Sequence, residues 1–196
     1  PTRRLPICIG NSVEKVIKYN PKKITGIDIS EISINKAKKK ANELGLNVSY
    51  KVDNCEKTSF DSNSFDIIYG SGILHHLQID KCLEEIHRIL KPNGSILFVE
   101  PLGTNPLINF YRKLTPNSRS VDEHPLIKKD LDYINIKFKE IKIKYYGFVT
   151  LIFFPFYNSL NQSRFFEFLT KVDQLLFKLR FFRLFAWSIL ITAKKN

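Results

Sequence analysis

The hydrophobic pattern of the chain alternates between two rhythms. Short apolar or alternating runs occur at "LPICIG" (5–10), "KKITGIDIS" (22–30), "NVSYKVD" (47–53), "SFDIIYGSG" (64–72) and "SILFVEP" (95–101). These predict five strands, the fourth apolar on both faces as in a covered parallel sheet. Between them, apolar residues recur at helical spacing. Val13, Val16 and Ile17 form one stripe, Ile34, Ala37, Ala41 and Leu44 a second, and Cys82, Leu83, Ile86, Ile89 and Leu90 a third. Asn11 and Glu14 have capping-box spacing, Ser30 is placed to cap the second helix, and Pro21, Gly45 and the turn "KPNG" (91–94) end elements. Strands alternating with amphipathic helices predict a parallel α/β sheet, whose ligands lie beyond the carboxyl ends of the strands. Gly10, Asp28, Asp53, Gly70, Ser71 and Glu100 stand at those ends.

The second half has a different texture. Residues 102–126 are punctuated by Pro and Asn and predict short helices over the crevice. "INIKFKEIKIKYY" (134–146) alternates strictly and predicts a strand with a lysine-rich outer face. "GFVTLIFFPFYNSL" (147–160) is strongly apolar, a candidate lid. Residues 163–179 predict an amphipathic helix with Phe165, Phe166, Leu169, Val172 and Leu176 inward, and "FAWSILITAKK" (185–195) a closing strand. The whole reads as a single domain over residues 1–196. Its fold class is α/β, Rossmann-like and doubly wound. The expected sheet is mostly parallel and seven-stranded, with an antiparallel C-terminal strand and a small helical cap. Residues 1–101 form the ligand-binding half, and 102–196 supply cap and substrate elements.

Composition narrows the class. The chain has 196 residues, 43% hydrophobic and 26% charged, which suits a globular domain. Its net charge of +12 attracts phosphates, nucleic acid or anionic lipid. Much of that charge sits in runs such as "NKAKKKANE" (35–43), which also read as solvated helix faces. Cys8, Cys55 and Cys82 are widely spaced and suggest no disulfide framework, so a reducing cytoplasm is expected. "PTRR" at the start is no signal peptide, and a removed initiator or a truncated start both fit it.

Asp28 lies 18 residues past Gly10, the distance at which an acid after a glycine turn accepts ribose hydroxyls. The order "GIDIS", "KVDNCE", "FDIIYGSGILHHL", "LKPNGSILFVEP" resembles the class I S-adenosylmethionine-dependent methyltransferases, in particular the group acting on small molecules. The resemblance covers roughly residues 5–101. It implies S-adenosylmethionine as cofactor, with Gly10 in the loop against its methionine part and Asp28 on the ribose hydroxyls. Ile29 would lie on the adenine face, Asp53 would accept from the adenine amino group with Asn54 beside it, and Gly70 and Ser71 would line the methionine end. The chain departs from the family at its opening, where an acid and "GxGxG" usually stand and this sequence has Pro6, Cys8 and the single Gly10. The glycine motif is degenerate or truncated, and Pro6 is a candidate break in the first strand.

Methyl transfer from a sulfonium needs alignment, plus a base when the nucleophile must lose a proton. Candidates are His75 and His76 after the fourth strand, His124 in "VDEHP", and Glu100; each also has a structural reading as a cap or packed residue. His87, mid-helix, reads as surface. No Cys or carboxylate stands at ligand spacing around the histidines, so no metal is expected. The acceptor is expected to be small and apolar or lipid-like. No specific nucleic-acid platform is visible, and the 163–179 helix with the apolar lid suggests peripheral membrane contact. Two alternatives remain: a catalytically degraded methyltransferase-like binding protein, and an RNA or protein methyltransferase.

Overall fold

The computed structural model describes residues 4–8, 13–17, 19–115, 123–153 and 164–196. Seven strands are hydrogen-bonded in the order β3-β2-β1-β4-β5-β7-β6. They are β1 (Arg4–Cys8), β2 (Lys23–Asp28), β3 (Ser49–Val52), β4 (Phe65–Ser71), β5 (Leu90–Pro101), β6 (Phe138–Tyr146) and β7 (Ser188–Lys195). β1 to β5 pair in parallel, and β7 runs antiparallel to both β5 and β6. The helices are α1 (Val13–Ile17), α2 (Glu31–Glu43), α3 (Ile79–Ile89), α4 (Pro106–Leu114), α5 (Lys128–Lys137), α6 (Val149–Ile152) and α7 (Arg164–Leu176).

Among the described residues, β1 meets β4 in register at Ile7↔Tyr69. The Pro6 break does not occur: β1 pairs with β2 through Pro6↔Thr25. Proline lacks an N–H, but on a parallel ladder only alternate residues donate toward a given neighbour. Gly10 and the Asn11 cap position lie outside the described residues.

Local chemistry sets the helix boundaries. Ser30 Oγ accepts from Ser33 N at 3.3 Å and starts α2, and Gly45 leaves it at φ +63°. Ile34 and Ala41 turn inward as expected, whereas Leu44, expected inward, is half-exposed beyond the last turn. α3 buries Ile79, Cys82, Leu83, Ile86 and Ile89. Leu90 is also buried, as the first residue of β5. The "KPNG" turn is an insertion within that strand: Phe65 pairs with Leu90 and Ile67 with Ser95, so residues 91–94 loop out with Asn93 at φ 59°. Lys91 Nζ anchors it to Asp66 at 3.0 and 3.1 Å.

The strand expected from residue 134 begins only at Phe138, because residues 134–137 close α5. Ile134 and Phe138 are both buried and one helical turn apart, a spacing that serves α5 as well as alternation serves β6. A register shift between Lys139 and Lys142, with Glu140 at φ 50°, re-phases the strand.

The larger core lies between the sheet and α3, α5 and the segment before β7, centred on Phe98, Leu74, Leu83, Ile96, Ile189 and Ile191. A smaller cluster of Val13, Val16 and Ile24 covers the β1–β2 side. On α7 the expected inward residue Phe165 is exposed, Phe166, Val172 and Leu176 are half-buried, and Leu169 is buried. Residues 154–163, the centre of the expected lid and the start of its helix, lie outside the described residues.

Candidate functional site

Strand register places the candidate residues at one rim. Ile7 of β1 pairs with Gly26 on one side and Tyr69 on the other. Two residues further on, Asp28 ends β2 and Ser71 ends β4 at the same level. Ser71 pairs with Val99, so Glu100 stands one residue beyond; Val52 pairs with Asp28, so Asp53 does the same on the other flank. A hydrogen bond from Asp53 N to Asp28 O, 3.0 Å, joins the β2 and β3 ends.

Asp28 is half-buried, and its Oδ1 accepts from Ser30 N at 2.8 Å. Its Oδ2 has no hydrogen bond among the described residues. Ile29, next in sequence, is 75% exposed. The Asp53 carboxylate is tied into its own loop: Oδ1 accepts from Asn54 N at 3.0 Å, and Oδ2 from Ser59 N at 3.1 Å and Ser59 Oγ at 2.5 Å. Partial burial raises the Asp53 pKa, but the bonds from Ser59 and Asn54 and the Lys51 charge outweigh it and hold the carboxyl below its usual range. Asn54 Oδ1 accepts from Glu56 N at 2.9 Å.

The loop after β4 is built around Glu100, which is 1% exposed. Its Oε1 accepts from Ile73 N and Leu74 N, both at 3.0 Å, and its Oε2 pairs with His75 Nδ1 at 2.8 Å. A carboxylate so placed caps the 3-10 turn Leu74–His76 and selects the His75 tautomer with Nδ1 protonated, leaving Nε2 as an acceptor. Gly72, at φ +64°, makes the turn and donates from its N–H to Val99 O at 2.8 Å. His75 is buried; His76 is exposed, its ring centroid 4.0 Å from that of His75. His124 donates from its backbone N–H to His75 O at 2.8 Å, which brings the segment after α4 to the same loop.

Gly70 has a packing reason of its own. A Cβ there would lie 2.4 Å from Phe98 Cε1 and 2.9 Å from Ile73 Cγ2. Next to it, Ser71 is exposed at the rim.

Residues 7–98 match the family model described as a methyltransferase domain. That match spans a little under half of the chain. The chain is 35% identical over 86 residues to a demethylmenaquinone methyltransferase of Bacteroides fragilis, a match covering 42% of this chain and 35% of that protein. It is 41% identical over 76 residues to a ubiquinone/menaquinone biosynthesis C-methyltransferase of Rickettsia prowazekii, covering 37% and 31%. The matched stretch is thus about a third of each curated relative. In fold, all of this chain superposes on 70% of a geranyl diphosphate C-methyltransferase from Streptomyces coelicolor, with a TM-score of 0.72 and 15% identity.

The residues present fit S-adenosylmethionine, the cofactor that the sequence resemblance implies. A nucleoside offers a hydroxyl pair and a flat apolar face, and Asp28 Oδ2 and exposed Ile29 are complementary to those. The methionine end would lie toward Ser71. Asp53 and Asn54 reach a ligand only with lone pairs or donors that their loop leaves over.

Reasoning from sequence missed two buried polar residues that set the site's surroundings. Asp173, in α7, accepts from Phe148 N (3.1 Å), Val149 N (2.6 Å) and Thr150 Oγ1 (2.6 Å) and so holds α6. Asn105 caps α4, accepting from Leu107 N (3.0 Å) and Ile108 N (3.2 Å). Asn105-Pro106 carried a legible signal, an Asn cap followed by proline at the first helical position. Asp173 was legible as an acid one turn past Leu169 on the inward stripe. His87, expected at the surface, is half-buried with its ring centroid 5.7 Å from that of Phe138. Among the described residues, no group of three His, Cys, Asp or Glu side chains could hold a metal ion.

Proposed function

We propose that this chain transfers a methyl group from S-adenosylmethionine to a small, apolar or lipid-like acceptor at the rim formed by the ends of β1, β2, β4 and β5. The single observation that carries the reading is the level placement of Asp28 and Ser71 either side of β1, beside the loop anchored by Glu100. When bound, the cofactor supplies an activated methyl on its sulfonium. Asp28 accepts the ribose hydroxyls, Ile29 covers the adenine, Asp53 and Asn54 border it, and Gly10 belongs to the loop beneath its methionine part. Gly70 lets the β4 end close on Phe98, and Ser71 bounds the methionine end.

The protein's own chemistry is positioning and proton handling. Glu100, with both oxygens engaged, is the positioning residue that orients His75. His75 or its neighbour His76 takes the acceptor's proton as the methyl arrives, and His124 borders the same loop. Residues 102–196 share the sheet through β6 and β7 and act with residues 1–101 as one unit. The apolar acceptor is favoured by the relatives named for quinone precursors and by the fold relative named for geranyl diphosphate.

Isothermal titration with S-adenosylmethionine tests the cofactor reading. Binding is expected, and Asp28→Ala should weaken it about ten- to a hundredfold, the effect of losing hydrogen bonds to a charged group. Absence of binding would leave a degraded, methyltransferase-like binding protein. Incubation with quinol and isoprenoid acceptors should then yield products heavier by one CH2, and methylation confined to RNA or protein would replace the acceptor class.

A further inference from the structure

Helix α4 leaves the rim with its apolar face turned to water. Leu107, Phe110, Tyr111 and Leu114 recur at i, i+3, i+4 and i+7, the stripe that ordinarily packs inward, yet they are 66%, 65%, 59% and 65% exposed. Ile108, on the other side of the helix, is the residue that meets the core. The stripe continues onto the 3-10 segment Arg180–Phe185, where Phe181 and Leu184 are also exposed. The two segments are fastened together: Asn105 Nδ2 donates to Phe185 O at 2.5 Å and Thr104 Oγ1 to Leu184 O at 3.2 Å. Behind them Phe148 lies tilted against Phe182 and Phe185 at 5.8 and 5.3 Å, and the exposed Phe181 meets the same two rings edge-on at 5.6 and 5.5 Å.

The charge these two segments present to water has one sign. Lys113 on α4 and Arg180 on the 3-10 segment are exposed, and neither segment contains a carboxylate, whereas Arg112 donates to Asn109 Oδ1 and Arg183 turns inward to Phe177 O and the Tyr145 ring. The geometry points to an anionic lipid surface as the occupant: the apolar stripe enters the boundary between headgroups and acyl chains while the flanking cations meet lipid phosphates. A second copy of this chain would bring the same cations against themselves, in a molecule already at +12. Among the described residues no helix is long and apolar enough to cross a membrane, so the contact lies in the interface plane. This surface differs from the 163–179 helix that the sequence nominates for membrane contact. The inference does not depend on methyl transfer.

Co-sedimentation with vesicles tests it. Vesicles of phosphatidylglycerol and phosphatidylcholine should carry the protein down, pure phosphatidylcholine much less, and added salt should release it. Phe110→Ser with Leu114→Ser should lower the partition coefficient about tenfold or more. Lys113→Ala should lower it about fivefold on the anionic vesicles only. Trp187, the only tryptophan in the chain, accepts from Leu102 N through its carbonyl oxygen at 2.8 Å just ahead of α4, so energy transfer from it to a dansyl lipid should follow binding. No sedimentation at low salt, or equal sedimentation of the Phe110/Leu114 variant, overturns the proposal. A dimer in sedimentation velocity that the same two substitutions dissociate would assign the face to a second copy instead. Titration of the variant with S-adenosylmethionine, expected to match the parent, reports its fold and keeps this test separate from the methyl-transfer reading.

Discussion

Glu100 shows how much one side chain can decide at this site. Its carboxylate is removed from water and repaid by two backbone N–H groups and an imidazole N–H. Replacing it with Ala strands Ile73 N and Leu74 N inside the protein, and we expect Glu100→Ala to lower unfolding free energy by about 3 kcal/mol or more in denaturant titration. Glu100→Gln keeps an acceptor for both amides, so it should cost less stability while still disturbing His75, seen as a changed pH profile of turnover. From sequence Glu100 was a candidate base or a cap. The strand end was legible, but its choice of partners was not, because Ile73 and Leu74 lie 27 and 26 residues away in the chain.

At the scale of elements, two interior contacts hold the second half to the sheet. Asp173 satisfies the exposed start of α6 from a different helix, so Asp173→Ala should cost about 2–3 kcal/mol, with early loss of amide protection at residues 148–150 in hydrogen exchange. Gly147 turns out of β6 at φ +78°, where a Cβ would lie 2.8 Å from Trp187 Cβ. Gly147→Ala meets both backbone strain and a clash, and is expected to destabilise by about 1–3 kcal/mol with a shift in Trp187 emission. Neither contact could be read from the local pattern. The apolar alternation of 134–146 was visible, but it also satisfied a helical turn at Ile134 and Phe138, and only packing against α3 separated the two.

For the molecule as a whole, acid is the expected weakness. Burial, helped by Lys195 and Lys137, lowers the His87 pKa below 6.5. Burial opposes the shift at Glu85, but hydrogen bonds from Arg88 and Thr58 prevail and lower it below 4.5. Asp53 falls below 3.8 in the same manner. Each group binds protons more readily in the unfolded chain, so its stabilisation is complete above these ordinary values and is lost as pH falls through the folded ones. Denaturant midpoints should therefore hold near neutrality, begin to fall below about pH 6.5 through His87, and drop further below about pH 4.5 through the carboxylates. A His87→Phe variant should remove the first part of that decline.

The sequence by itself determined the alternation of strands and helices, the parallel half of the sheet, and which residues close β2, β4 and β5, because period, capping and turn chemistry act over a few neighbours. It also carried the family resemblance through Asp28, Asp53 and the run from Gly70 to Pro101. Tertiary structure alone decided which of those polar groups are already spent inside the protein, where α5 gives way to β6, and that α4 faces water with the stripe that would normally be hidden. These are outcomes of contacts between distant segments, and their energies depend on burial and geometry that no local window contains.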